Sequence, residues 1–408
     1  MTIPSPGRSR RPTALIFSFG PVDAKSDGYL TRVDFNARAL EALGLDVVIS
    51  EISKRHGPAA LSRRIRVIPA WPRMTPPPGV LGTVDLFGTV RKQLAIIVGF
   101  SRNWSAVKSA SLVVIEGGLF AICALLIRLL IRSRDRPVVV FDVLTVMSAL
   151  HRHQTVGGSA RDICTVACRG RRLIWTVLEF VCSRSTDMTA ICSQLDRPYF
   201  PHRRVAVVPN GVESDFYDST AAEDPKLLAF VGSGRLAPNR EALGFLVGSV
   251  LTWPEFSELR CRVIGEPTGY PSAWSQVEFL GFRGNLSQAL DDVSVCCAPM
   301  RETGGVSTKV LTTLANGKRT VCTPEGARGI ELPPIGLWVA ERDQFGVALA
   351  SALMCPWGPA ESHVVREWIF ARHGLSAIVD SWRGIVHLQS TDKPDSIKTG
   401  NAPDRGLV

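Results

Sequence analysis

The sequence has no apolar run near the roughly 18–20 residues that a membrane-crossing helix needs. Its longest, Leu119–Ile131, is short and carries Arg128, so it reads as a buried or interfacial helix. Arg10-Arg11 faintly suggests an export signal, but Ala14–Phe19 is only strand-length and runs into Gly20-Pro21. The ten cysteines include no Cys-x-x-Cys and no regular spacing. That argues against a zinc ribbon or a disulfide framework and for buried thiols in a reducing compartment. The sequons at Asn103 and Asn285 then carry no meaning. No nucleic-acid motif or aromatic stacking series accompanies the net charge of +10, so nucleic acid is not an expected partner.

The charge is unevenly divided. Up to Val205 there are 29 Lys and Arg against 14 Asp and Glu; the remainder has 18 against 23. A basic first half beside an acidic second half makes a directional field. It is either a solvated face or a surface that docks on an anionic membrane. At 408 residues the chain exceeds one core, so two domains are expected.

Alternation of apolar strands and amphipathic helices predicts α/β architecture with parallel sheets. Ala14–Phe19, a glycine-bearing loop at Gly28, a helix to Leu43 and Asp46–Ser50 form an opening βαβ unit. Ser111–Glu116, Pro137–Phe141 and Asp187–Ile191 continue the sheet, and Arg172–Ser185 reads as an amphipathic helix. Residues 57–90, rich in Pro and Gly, resist assignment. Asp142 ends a strand where ligands bind in such sheets; it either orients a hydroxyl or caps a helix. His151 and His153 stand near by with no third ligand at metal-binding spacing. Pro209-Asn210-Gly211 marks a turn about halfway along.

A second βα series opens with Leu227–Val231 and Gly232-Ser-Gly-Arg235-Leu-Ala237. This satisfies a dinucleotide fingerprint, but Pro238 starts the helix after the motif and no acidic residue ends the next strand. The most informative stretch is 299–317. A buried strand precedes it, Gly304-Gly305 permits a tight turn, and Ser307 can cap the helix that follows. Lys309 lies in the first helical turn, where a cation opposes the helix dipole, so a bound anion accounts for it. Gly317 closes the helix.

Pro299, Gly304-Gly305, Lys309, Leu311, Leu314-Ala315 and Gly317 fall in register with a known pattern. The stretch resembles the donor-binding signature of retaining GT-B-fold glycosyltransferases of the group 1 class (family 4). The resemblance implies two Rossmann-like parallel-sheet domains facing a cleft. Residues 13–208 would form the acceptor-side domain and 209–358 the nucleotide-sugar domain. Helices within 359–388 would cross back to the first domain, and 1–12 and 389–408 would be disordered. It implies transfer from a nucleotide-diphosphate sugar to a glycan or lipid-linked acceptor with retention, and no metal or other cofactor. The implied donor contacts are Gly28, Arg235, Gly304, Gly305, Val306, Ser307, Thr308, Lys309 and Thr312. Asp142, His151 and Glu302 are the candidate catalytic residues. Arg32 is a further candidate contact. The family's usual Glu, which holds the donor ribose, is Thr312 here. A non-catalytic nucleotide-sugar-binding relative and a sugar-nucleotide 2-epimerase are the alternatives. The expected location is the cytoplasm, with an anionic inner membrane face as a partner of the basic domain.

Overall fold

The computed structural model describes residues 11–19, 28–52, 59–60, 65–69, 96–149, 163–201, 204–213, 222–271, 274–302 and 304–391. The described strands form two sheets. The first holds β1 (Thr13–Phe19), β2 (Asp46–Ile52), β3 (Ala59–Ala60), β4 (Ile65–Pro69), β5 (Leu112–Glu116), β6 (Val138–Val143), β7 (Met188–Ile191) and β8 (Val205–Val207). Their order is β3-β4-β2-β1-β5-β6-β7-β8, with only β3 antiparallel to its neighbour. β5 is buried along its whole length, as a strand covered by helices on both faces must be.

The second sheet is entirely parallel. It holds β9 (Asp224–Val231), β10 (Arg260–Ile264), β11 (Val277–Gly281), β12 (Val293–Ala298), β13 (Arg319–Cys322) and β14 (Leu337–Val339), in the order β11-β10-β9-β12-β13-β14. In each sheet the strand order reverses beside the first strand: between β1 and β5, and between β9 and β12. Ligands of such sheets bind at the carboxyl ends of strands flanking that reversal.

The helices that matter below are α1 (Gly28–Ala42), α2 (Ala121–Leu130), α3 (Ile163–Ser185), α4 (Ala237–Phe245), α5 (Thr308–Ala315), α6 (Phe345–Met354), α7 (Pro359–His373) and α8 (Leu375–Thr391). α3 begins at Ile163, well before the Arg172 expected from sequence, because Gly170 is carried within the helix instead of ending it. α4 runs into a π-helical turn, Leu246–Val250.

α1 and α8 cover one face of the first sheet; Ile378, Trp382 and Ile385 of α8 share a core with Val33, Leu40 and Val47. α2 and α3 cover the other face. α8 thus belongs to the first domain's core although it follows the second domain in sequence. A further apolar cluster joins the two lobes. It packs Val306, Val310 and Leu314 with Ile369 of α7 and Cys192 at the end of β7, and Leu144 lies against it. Cys123, Cys182, Cys192, Cys261, Cys296, Cys297, Cys322 and Cys355 are free thiols, all but Cys355 buried.

Candidate active site

The loop after β12 carries the stretch singled out by sequence. Pro299 and Met300 are buried, Arg301 is exposed and Glu302 is half-buried before the turn. The backbone at Gly305 lies against the first domain: a Cβ there would sit 2.4 Å from the Leu144 carbonyl oxygen. Only glycine allows that approach. Asn210 Nδ2 donates to the Val306 carbonyl (3.3 Å), which ties the interdomain turn to the same loop. Thr308 begins α5 and is half-buried.

Ser307 occupies the N-cap position, but the expected cap is not made. Its Oγ is buried, with the residue only 7% exposed, and has no hydrogen-bond partner among the described residues. A buried polar atom without a partner is costly, and such atoms mark sites that bind something polar. Two residues on, burial lowers the pKa of Lys309, and no carboxylate contributes to hold its charge. A desolvated ammonium beside the amino end of a helix and an unpaired hydroxyl suit a phosphate oxygen. The Thr312 hydroxyl is already engaged: it donates to the Thr308 carbonyl (2.6 Å), and Asn316 Nδ2 donates to the Thr312 carbonyl (2.7 Å).

Across the strand-order reversal lies the loop after β9. Its glycines have a packing role. Gly265, with φ +146°, would place a Cβ 2.4 Å from the Gly232 carbonyl oxygen, so the loops after β9 and β10 meet backbone to backbone. Three side chains that sequence reasoning did not identify hold this loop. Asn239 Nδ2 donates to the Ser233 carbonyl (2.8 Å), Arg240 Nη1 to the Gly234 carbonyl (2.6 Å) and the Tyr270 hydroxyl to the Gly232 carbonyl (3.2 Å). Arg235 points outward, mostly exposed, with a loose 3.6 Å contact to Glu266. A pair that exposed holds little energy, which leaves the guanidinium able to take another anion.

The first domain contributes a buried polar network. Asp142 is fully buried at the end of β6. Arg32 donates to it from Nε (2.7 Å) and Nη2 (2.5 Å), and Asn36 from Nδ2 (2.8 Å). Arg32 also donates to the Val208 carbonyl (2.9 Å) and to Asn210 Oδ1 (3.0 Å). Asn36 Nδ2 reaches Glu116 Oε1 (3.0 Å), and Trp382 Nε1 donates to Asn36 Oδ1 (2.9 Å). This corrects both readings of Asp142. A carboxylate with no exposed surface and three donors on it neither orients an acceptor hydroxyl nor caps a helix. Arg32, equally buried, is likewise no ligand contact. Together they lock α1, β6, the interdomain turn and α8. Burial and then the neighbouring Asp142 push the Glu116 carboxyl well above its ordinary range. The signal for this network, Arg32 and Asn36 one helical turn apart facing two strand-end carboxylates, was visible only once the strand order was known.

Gly28 is the first residue of α1. His151 lies outside the described residues. Beyond the glycine loop the domains meet where Arg328 pairs with the buried Asp196 (2.7 Å) and where His373 Nδ1 meets the Asn210 carbonyl (3.0 Å).

Residues 225–354, the second sheet with its loops, match the family model "Glycosyl transferases group 1". The match covers 130 of the chain's 408 residues, all of them in the second domain. No curated protein matches the sequence. Sucrose-phosphate synthase from Thermosynechococcus elongatus is similar to this chain with TM-score 0.73 at 15% identity, over 93% of this chain and 99% of that one. HepE from Anabaena, in complex with UDP and glucose, is similar with TM-score 0.62 at 13% identity, over 93% and 100%. WaaG, a glycosyltransferase involved in lipopolysaccharide biosynthesis, is similar with TM-score 0.63 at 14% identity, over 91% and 99%. These likenesses carry the two-domain GT-B fold over more than nine-tenths of the chain.

Proposed function

We propose that this chain moves a sugar from a nucleotide-diphosphate sugar to a glycan or lipid-linked acceptor, with retention of anomeric configuration. The observation that supports the reading is the buried Ser307 hydroxyl beside Lys309, both without a side-chain partner among the described residues, at the strand-order reversal of the second sheet. The donor diphosphate would lie on Lys309 and the amides of Gly305–Thr308, with Arg235 closing from the loop after β9. Gly304 shapes the turn, and Glu302 stands at its mouth to meet donor hydroxyls. Gly28 and His151 remain acceptor- or donor-side candidates on the first domain.

As the bond between the anomeric carbon and the diphosphate oxygen breaks, its electron pair leaves with the diphosphate. Fixed cations and helix amides stabilise that growing charge without reorganising. The acceptor oxygen would attack from the same face and pass its proton to the departing diphosphate oxygen. No protein base and no bound metal is assigned a step. The proposed location is the cytoplasm, peripheral to the inner membrane face.

Calorimetric titration with UDP and GDP tests the site. HepE has been seen with UDP, so UDP is the first ligand to try. Binding should fall at least tenfold in Lys309→Met; equal affinity would remove the assignment. The engaged hydroxyl of Thr312 favours one other reading, binding without turnover. Incubation with labelled nucleotide sugars and a mixed acceptor pool separates the two, and the anomeric coupling of the product reports retention.

A further inference from the structure

α3 shows a face that nothing in the chain covers among the described residues. Arg169, Arg172, Leu173, Val177, Phe180 and Arg184 are all exposed. Their spacing at three, four and seven residues puts them on one side of the helix. Leu173, Val177 and Phe180 are 66%, 51% and 57% exposed, while Leu178 and Cys182 on the opposite side enter the core. The Arg184 guanidinium lies over the Phe180 ring, 5.3 Å from its centre. Between residues 169 and 185 the sole acidic residue is Glu179, which is buried and accepts from the Met147 and Ser148 amides. α2 packs beside α3 and ends in Leu129 and Leu130, both widely exposed, followed by exposed Arg132 and by Arg134, which pairs with exposed Asp135 (3.5 Å). A recess of about 170 Å³ opens beside Phe180 and Arg184.

An apolar stripe edged by arginines, with no exposed acid on α3 between residues 169 and 185, is the composition of an interfacial helix. No described helix is long and apolar enough to cross a membrane, so the surface would lie on a bilayer. A second copy is a poor occupant: a two-fold contact would set these arginines against their own equivalents.

We infer that the outer face of α3, with the end of α2, docks the first domain on an anionic phospholipid surface. This names the surface for the peripheral location proposed above and rests on that reading only for the side of the membrane. Leu173, Val177 and Phe180 enter the headgroup boundary, and the arginines meet lipid phosphates. α3 also holds the loop after β6 through Glu179, so docking sets the cleft at a fixed angle to the bilayer.

Co-sedimentation of the full chain with phosphatidylcholine vesicles, with and without phosphatidylglycerol, tests this. The wild type should bind only the anionic vesicles, and added salt should weaken binding. Each arginine near such a surface contributes roughly fivefold. Replacing Arg169, Arg172 and Arg184 with Ser should therefore lower binding on the order of a hundredfold, and Val177→Ser with Phe180→Ser at least tenfold. The arginine variant leaves the packed side of α3 intact, so it reports even if the apolar variant misfolds. Wild-type protein that ignores anionic vesicles, variants that bind as well as wild type, or a wild-type dimer that the variants dissolve would each overturn the inference. UDP titration of the same samples reads the transferase proposal separately.

Discussion

Replacing Glu116 with Gln should stabilise the protein at neutral pH. Glu116 and Asp142 face one arginine, which pairs with Asp142, and burial with that carboxylate beside it raises the Glu116 pKa. Glu116 keeps its proton in the folded state at pH values where the unfolded chain has lost it. Its folded pKa is raised, so the folded state binds more protons than the unfolded one, and stability falls as pH rises from the ordinary carboxyl range to the raised value. Each unit of that rise costs about 1.4 kcal/mol. Gln at 116 fits the site: its carbonyl can still accept from Asn36, as Glu116 does. It also escapes the penalty. In urea unfolding, Glu116→Gln should match wild type near pH 4 and exceed it by at least about 1 kcal/mol at pH 7.5. Asp142→Asn removes the charge opposite a buried arginine and should cost about 3–5 kcal/mol, a fall on the order of 10 °C in melting temperature. If Glu116→Gln proves the damaging substitution and Asp142→Asn the mild one, the assignment of the proton is reversed and the reasoning fails.

Donor affinity should decline with rising pH earlier than an ordinary lysine would dictate. Burial lowers the Lys309 pKa, and a diphosphate needs the charged form, so calorimetric affinity should drop as pH climbs past that lowered value. In Lys309→Met this dependence should vanish. Gly305→Ala brings a Cβ within 2.4 Å of the Leu144 carbonyl and must push the loop or the lobe by about 1 Å. Donor affinity should fall tenfold or more with an unchanged far-UV spectrum. Trp382→Phe leaves Asn36 Oδ1 without its donor inside the network, and thermal unfolding should record a loss of about 1–3 kcal/mol.

Much of the fold was legible because parallel strands buried on both faces spell themselves as unbroken apolar runs. Leu112–Glu116 and Val138–Val143 both sit within a residue or two of their sequence assignments. The 299–317 stretch was legible as a turn and a helix because these marks have local causes: paired glycines make the tight turn, and the last glycine stops the helix. Asp142 was misread because strand-end position speaks of proximity to a cleft and says nothing of burial. What hides Asp142 is Arg32 and Asn36 from a helix more than a hundred residues earlier. Ser307 was misread because cap propensity describes what a serine can do, while its hydroxyl makes no bond to the helix amides. Residues 57–90 gave no assignment, and there the sheet adds β3, a short antiparallel edge.

The placement of α8 has a consequence for biosynthesis. Trp382 is the largest fully enclosed side chain among the described residues and fills the first lobe, yet it leaves the ribosome after the entire second lobe. A nascent chain that has completed β8 therefore carries an open apolar trough along α1, with Asn36 lacking its indole donor. The lobe that begins the protein is finished last, and loss of a few dozen residues from the far terminus would injure it before the nucleotide lobe.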